Sequence, residues 1–122
     1  MITFDTGALI ALERNKQRVV EIFQTVVRRG DDITVPAAVI TEWWRGRTDI
    51  RDDILESVVV ELLTPVVAKA AGEAIAAVRG ATAIDAIVMA SAARRGDVVL
   101  TSDVHDLERL RSFFPSVRVL GV

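Results

Sequence analysis

Four carboxylates stand out by the residues around them. Asp5 closes the β-favouring run Ile2-Thr3-Phe4, and Asp103 follows Val98-Val99-Leu100-Thr101. Each therefore falls just beyond the carboxyl end of an expected strand, where open parallel sheets bind their ligands. Glu42 lies among Val39, Ile40 and Trp43, and Asp85 among Ile84, Val88 and Met89, on segments with helical spacing. A carboxylate beside apolar surface is costly unless compensated, and two of them roughly 4 Å apart repel by about 4 kcal/mol at an effective dielectric of ~20. Gathered in one place, the four demand protons or a cation. Oxygen-only ligands favour Mg²⁺ or Mn²⁺, and a single histidine, His105, with no cysteine argues against zinc. Such ions activate water and stabilise the attacking and leaving oxygens of a phosphoryl displacement.

Each acid also has a purely structural role open to it. Asp5 can cap the helix that follows it, Glu42 can pair with Arg45, Asp85 can complete a capping box with Thr82, and Asp103 can stabilise a turn. Taken one at a time these roles suffice, but they give no reason for all four acids at these places.

The elements that must position them follow from periodicity. Ile2 to Phe4 reads as a strand, with a helix from Asp5-Thr6-Gly7 through Leu12, and Lys16 to Arg29 as a second helix stopped by Gly30. Ile33 to Val35 is a strand, Pro36 opens a helix to about Arg45, and Ile50 to Ser57 is helical. The β-branched run Val58 to Leu63 predicts a strand covered on both faces. Pro65 to Arg79 and Ala83 to Arg95 read as helices ended by Gly80 and Gly96, the second capped by Thr82. Val98 to Thr101 is a strand leading into a polar turn, Ser102 to Asp106, and Val117 to Leu120 is a last short strand. Strands alternating with helices predict an α/β fold with a parallel sheet and helices on both faces.

At 122 residues and 51% hydrophobic content, a single domain over residues 1–122 is expected. The start of the chain has no basic leader, and no apolar run approaches the roughly 20 residues of a membrane span, so a cytoplasmic protein with no membrane association is expected. The absence of cysteine is compatible with a reducing compartment. The formal charge of −2 suits a nucleic-acid partner poorly at first sight. Setting the four acids aside, however, leaves 13 of the 17 acidic residues against 15 basic ones, a surplus of two outside the pocket.

Together, Asp5-Thr6-Gly7 with Leu9-Ile10, Pro36 through Thr41-Glu42, Asp85-Ala86 in its small-residue helix, and Leu100-Thr101-Ser102-Asp103 with Asp106-Leu107 resemble the PIN-domain ribonucleases, more narrowly the VapC toxins of bacterial toxin–antitoxin pairs. The resemblance covers almost the whole chain. It implies a three-layer α/β/α fold with a five-stranded parallel sheet. It also implies Mg²⁺- or Mn²⁺-dependent endoribonuclease activity, a homodimer and a cognate VapB-like antitoxin. Asp5, Glu42, Asp85 and Asp103 match the four acidic positions, Thr6 and Thr101 match neighbouring hydroxyl positions, and Asp106 matches an accessory acid. Asp5, Asp85 and Asp103 are expected to hold the ion or ions and Glu42 to ligate or orient water. Leu107 departs from the aromatic residue common in the family, and the chain is short between Arg79 and Asp85.

Arg45, Arg47 and Arg51 are candidate contacts to RNA phosphates, with a salt-bridged helix end beside Asp49, Asp52 and Asp53 as the competing role. Of the adjacent Trp43 and Trp44, about 100° apart on a helix, one is expected in the core. His105 reads as a turn residue, and the stripe Val19, Ile22, Phe23, Val26 reads as core. Asp-Thr-Gly is also an aspartic-protease signature, but that class is all-β and the helical spacing opposes it. A receiver-type regulatory domain needs a lysine after its last strand, whereas the lysines here are Lys16 and Lys69. The remaining alternative is a non-catalytic PIN-like domain that binds RNA without cutting it.

Overall fold

The computed structural model describes residues 1–122. Strand β1 (Ile2–Phe4) leads into helices α1 (Thr6–Glu13) and α2 (Gln17–Arg28), then β2 (Ile33–Pro36), α3 (Ala37–Trp43), α4 (Asp49–Ser57) and β3 (Val59–Glu61). Helices α5 (Pro65–Ala77) and α6 (Ala83–Arg95) precede β4 (Val98–Thr101), α7 (Val104–Leu110) and β5 (Arg118–Gly121). The five strands form one sheet in the order β3-β2-β1-β4-β5, every pairing parallel. Every residue of β1 and β2 is buried, so the centre of the sheet is covered on both faces, as the expected α/β arrangement requires. The parallel sheet excludes the all-β protease class.

The start and stop signals act as their chemistry dictates. Asp5, Thr48, Thr64 and Thr82 each accept a hydrogen bond from a backbone N–H in the first turn of the helix they precede. Gly96 closes α6 in the left-handed conformation at φ 71°. Trp43 is buried and donates its indole N–H to Glu13 Oε1 at 3.0 Å, while Trp44 packs edge-on against it, partly exposed.

Two elements differ from the sequence expectation. The run Val58 to Leu63 is not covered on both faces: β3 is three residues long and outermost in the sheet, leaving Val59, Val60, Leu62 and Leu63 exposed. A continuous apolar run cannot by itself tell a central strand from an edge strand whose apolar face has no partner within the chain. The polar turn expected from Ser102 to Asp106 is present only at Ser102 and Asp103; from Val104 the chain is already in α7, because Leu107 and Leu110 bury one helical face against the core. His105 sits exposed in the first turn of that helix.

Beneath α6, a polar network ties the sheet to the helix. Asp97, 2% exposed, accepts from the N-terminal ammonium of Met1, from Thr3 Oγ1 at 2.9 Å and from Arg95 Nε at 2.9 Å. Arg95 reaches on to Thr3, Ser91 and Glu61. This network lies away from the carboxyl-end loops of β1 and β4.

Candidate active site

Asp5 leaves β1 at its carboxyl end, where its N–H still donates to Leu100 O on β4 at 3.2 Å. Its carboxylate turns into the first turn of α1 and accepts from Ala8 N at 2.9 Å. The capping role and the site role therefore coincide in one side chain. Burial pushes Asp5 up to about 6; the Thr101 hydroxyl and the N–H groups of Ala8 and Gly7 oppose this, and the charge of Asp85 adds to it. Thr101 also accepts from Asp103 N at 2.9 Å, fixing the bend that carries Asp103 past the end of β4.

Asp85 lies in the first turn of α6, and its N–H donates to Thr82 Oγ1 at 3.3 Å. Partial burial raises it above the usual carboxylate range, and the charges of Asp106, Glu42 and Asp103 push the same way, against the Thr82 hydroxyl. Glu42 on α3 does not pair with Arg45; it accepts from Thr6 Oγ1 at 2.6 Å, linking α3 to the start of α1. The Asp103 and Asp106 carboxyls adjoin each other, and a hydrogen bond between them holds Asp103 above and Asp106 below the ordinary range. Asp106 is further lowered by Arg109, which donates to it at 2.7 Å.

Asp5, Glu42, Asp85, Asp103 and Asp106 line a single open pocket of about 380 Å³, with Thr6, Gly7, Thr82 and Ser102 completing its polar wall. Asp106, the accessory acid, thus joins the four that stood out as a fifth carboxylate on the pocket wall. As placed, no three of these carboxylates gather closely enough to hold one ion together. The donor chemistry nonetheless fits a hard divalent cation: the ligating atoms are all oxygens, and two of the acids are held upward by burial with no cationic partner.

The pocket depends on a close approach at Gly7. A Cβ built there would lie 2.8 Å from Ser102 Cβ and 2.9 Å from Ser102 N, closer than real side chains come. The glycine lets the start of α1 pack directly onto the loop after β4, keeping Asp5 and Asp103 in one pocket. Gly7→Ala is expected to force this loop outward, at a cost of about 1–3 kcal/mol for overpacking. A urea unfolding curve checks the stability change, and unchanged stability would remove Gly7 from this role.

The sequence candidates separate on the basic side. Arg47 pairs with Asp52 at 2.7 Å and Asp49 at 3.4 Å, and Arg51 pairs with Glu13 at 3.0 Å. Arg45 makes no ion pair. Arg14, which no sequence signal singled out, also points into the cleft beside Glu42. Its neighbourhood depends on how α1 and α3 cross, which spacing along the chain does not reveal.

Among solved structures, the fold is similar to that of a chain of the VapBC2 complex from Rickettsia felis bound to a DNA fragment from its promoter. That match has a TM-score of 0.81 and 11% identity, covering 100% of this chain and 99% of that one. A chain of the DNA-bound VapBC complex from Salmonella typhimurium is similar with TM-score 0.79 and 18% identity, covering 98% and 96%. One from VapBC-1 of nontypeable Haemophilus influenzae is similar with TM-score 0.72 and 17% identity, covering 99% and 98%. No curated protein gives a match. At these identities the structural likeness establishes the three-layer fold with its five-stranded parallel sheet. The PIN domain model matches residues 2–112, nearly the whole length, and the chain belongs to the PIN domain family.

Proposed function

We propose that this protein is a divalent-metal-dependent endoribonuclease acting as the toxin of a VapBC-type toxin–antitoxin pair. The observation that carries the reading is the convergence of Asp5, Glu42, Asp85 and Asp103, from four separate elements, on one pocket at the carboxyl end of the parallel sheet. Family membership and the likeness to chains of VapBC complexes support it.

In this reading Asp5, Asp85 and Asp103 hold Mg²⁺ or Mn²⁺, and Glu42 ligates it or orients water. Bound there, a divalent ion supplies a water of lowered pKa and charge stabilisation at the phosphoryl oxygens. Thr101 and Ala8 hold Asp5 in place, Thr6 holds Glu42, and Asp106 with Arg109 steadies Asp103. Asp5 would contribute to the ion from its capped position, and the exposed Glu42 and the Asp103–Asp106 pair would supply the remaining oxygens. No side chain is needed as nucleophile.

The same reading carries partners. A VapB-like antitoxin is the cognate inhibitor, and the groove lined by Leu12, Val20, Phe23, Ile50 and Ile54 offers it apolar surface. A homodimer finds apolar surface in Val59, Val60, Leu62 and Leu63 along and just after β3, with Val66 at the start of α5. The working compartment is the cytoplasm; no helix is long and apolar enough to cross a membrane.

Inducible expression of the wild type and Asp85→Asn, with the cleaved RNA ends mapped, tests activity and substrate together. Growth arrest and discrete new RNA ends are expected from the wild type alone. The purified wild type is expected to cut RNA with Mn²⁺ and to stop on adding EDTA. Equal cutting by Asp85→Asn, or cutting in EDTA, would remove the proposal.

A further inference from the structure

Next to the acid pocket, and sharing Thr6, Ile10 and Glu42 with it, runs a second cleft of about 320 Å³ between α1 and α3. Its charged lining consists of Glu13, Arg14, Arg45 and Arg51 beyond the shared Glu42. Glu13 and Arg51 neutralise each other: Arg51 donates to both Glu13 oxygens at 3.0 and 3.1 Å and to Gly46 O at 2.9 Å, while Trp43 donates to Glu13 as well. That leaves Arg14 and Arg45, both exposed and neither within ion-pair distance of a carboxylate, as the free cations of the cleft. Arg47, two residues from Arg45, does not line it and is held by Asp49 and Asp52.

A polyanion entering a pocket walled by five carboxylates is repelled along most of its length, so compensating cations must lie where the rest of its backbone runs. Free guanidinium groups along the continuous cleft sit in that place on one side. Their planar forks suit phosphate oxygens. Asp5, only 7% exposed, is recessed in the pocket, which favours the flexible backbone of an unpaired strand over a rigid duplex surface.

We propose that Arg14 and Arg45 grip the phosphodiester backbone of single-stranded RNA along the α1–α3 cleft, setting the direction in which the strand leaves the acid pocket. This rests on the reading of that pocket as a ribonuclease centre. Arg14 and Arg45 are positioning residues, remote from the bond that breaks, and the paired Arg47 and Arg51 take no part.

The test uses the full chain with Mn²⁺ and a mixed-sequence 20-nucleotide single-stranded RNA, with steady-state cleavage followed across a range of KCl. Arg14→Ala and Arg45→Ala are each expected to raise KM about fivefold with kcat little changed, the loss of roughly one charge-assisted contact. Each should also flatten the plot of log KM against log salt by about 0.7, the value for one phosphate contact on a single strand. Arg14→Lys and Arg45→Lys should restore the salt slope, and Arg47→Ala should match wild type. Glutamine replaces alanine wherever a thermal melt shows lost stability. Wild-type KM and salt slope in both arginine variants, with wild type cutting normally, overturn this proposal alone. Failure of the wild type to cut any RNA with Mn²⁺ overturns the ribonuclease reading and this proposal with it.

Discussion

Asp5→Asn is expected to abolish RNA cleavage, by about 10²-fold or more, the scale on which one group facing transition-state charge acts, while making the metal-free protein more stable at neutral pH. The two effects share one cause. Asp5 is buried at the end of β1, and burial raises it from 3.8 to about 6. The folded state therefore holds a proton that the unfolded state has already released between those values, so stability from this group falls as pH rises from about 4 and is fully lost above about 6. At 1.36 kcal/mol per unit, the cost at pH 7 is on the order of 2–3 kcal/mol. Asparagine carries no charge, yet caps a helix about as well as aspartate, so the hydrogen bond from Ala8 survives. Urea unfolding in EDTA at pH 4.5 and pH 7.5 checks this. The wild type should weaken between the two, Asp5→Asn should weaken less because only the raised Asp85 and Asp103 remain, and added Mn²⁺ should strengthen the wild type alone. A less stable Asp5→Asn at pH 7.5 in EDTA would show that Asp5 is a structural cap and that its charge is not a latent cost.

How much of this site could be read along the chain depends on whether the signal is local. Asp5 and Asp103 were legible because each ends a short β-favouring run, and a parallel sheet collects such ends on one edge. Thr82 and Gly96 were legible because caps and stops act over three or four residues. Arg14 was not, since its place beside Glu42 follows from the crossing of α1 and α3, set by packing between residues about thirty positions apart. The same holds for β3: its β-branched residues state a preference for strand but not which neighbours it lacks. Helix α7 was hidden by the polar residues Ser102, Asp103 and His105 at its start, which obscure the short apolar pair Leu107 and Leu110.

At the other end of the sheet the electrostatics reverse, and Asp97→Ala is expected to be the most destabilising single substitution here. Burial works to raise Asp97, but the Met1 ammonium, the Arg95 guanidinium and the Thr3 hydroxyl outweigh it and hold the carboxyl below its usual 3.8. Removing one member of a buried pair leaves its partners without a counter-charge, at about 3–5 kcal/mol where all are enclosed. Met1 and Arg95 reach solvent in part, so the lower end applies, about 3 kcal/mol or roughly 10 °C in Tm for a chain of this size. Because the folded value is depressed, this stabilisation is present above the unfolded value near 3.8 and is lost as pH falls through the folded one. The wild type should therefore lose stability steeply below pH 4, and Asp97→Asn should lose less there while being weaker at pH 7. Asp97 lies in the network beneath α6, away from the acid pocket, so Mn²⁺-dependent cutting per folded molecule should persist in Asp97→Asn at low temperature. A Tm within about 2 °C of wild type at pH 7, well short of the shift expected for a buried pair, would mean that Arg95 satisfies itself through Glu61 and Ser91 alone.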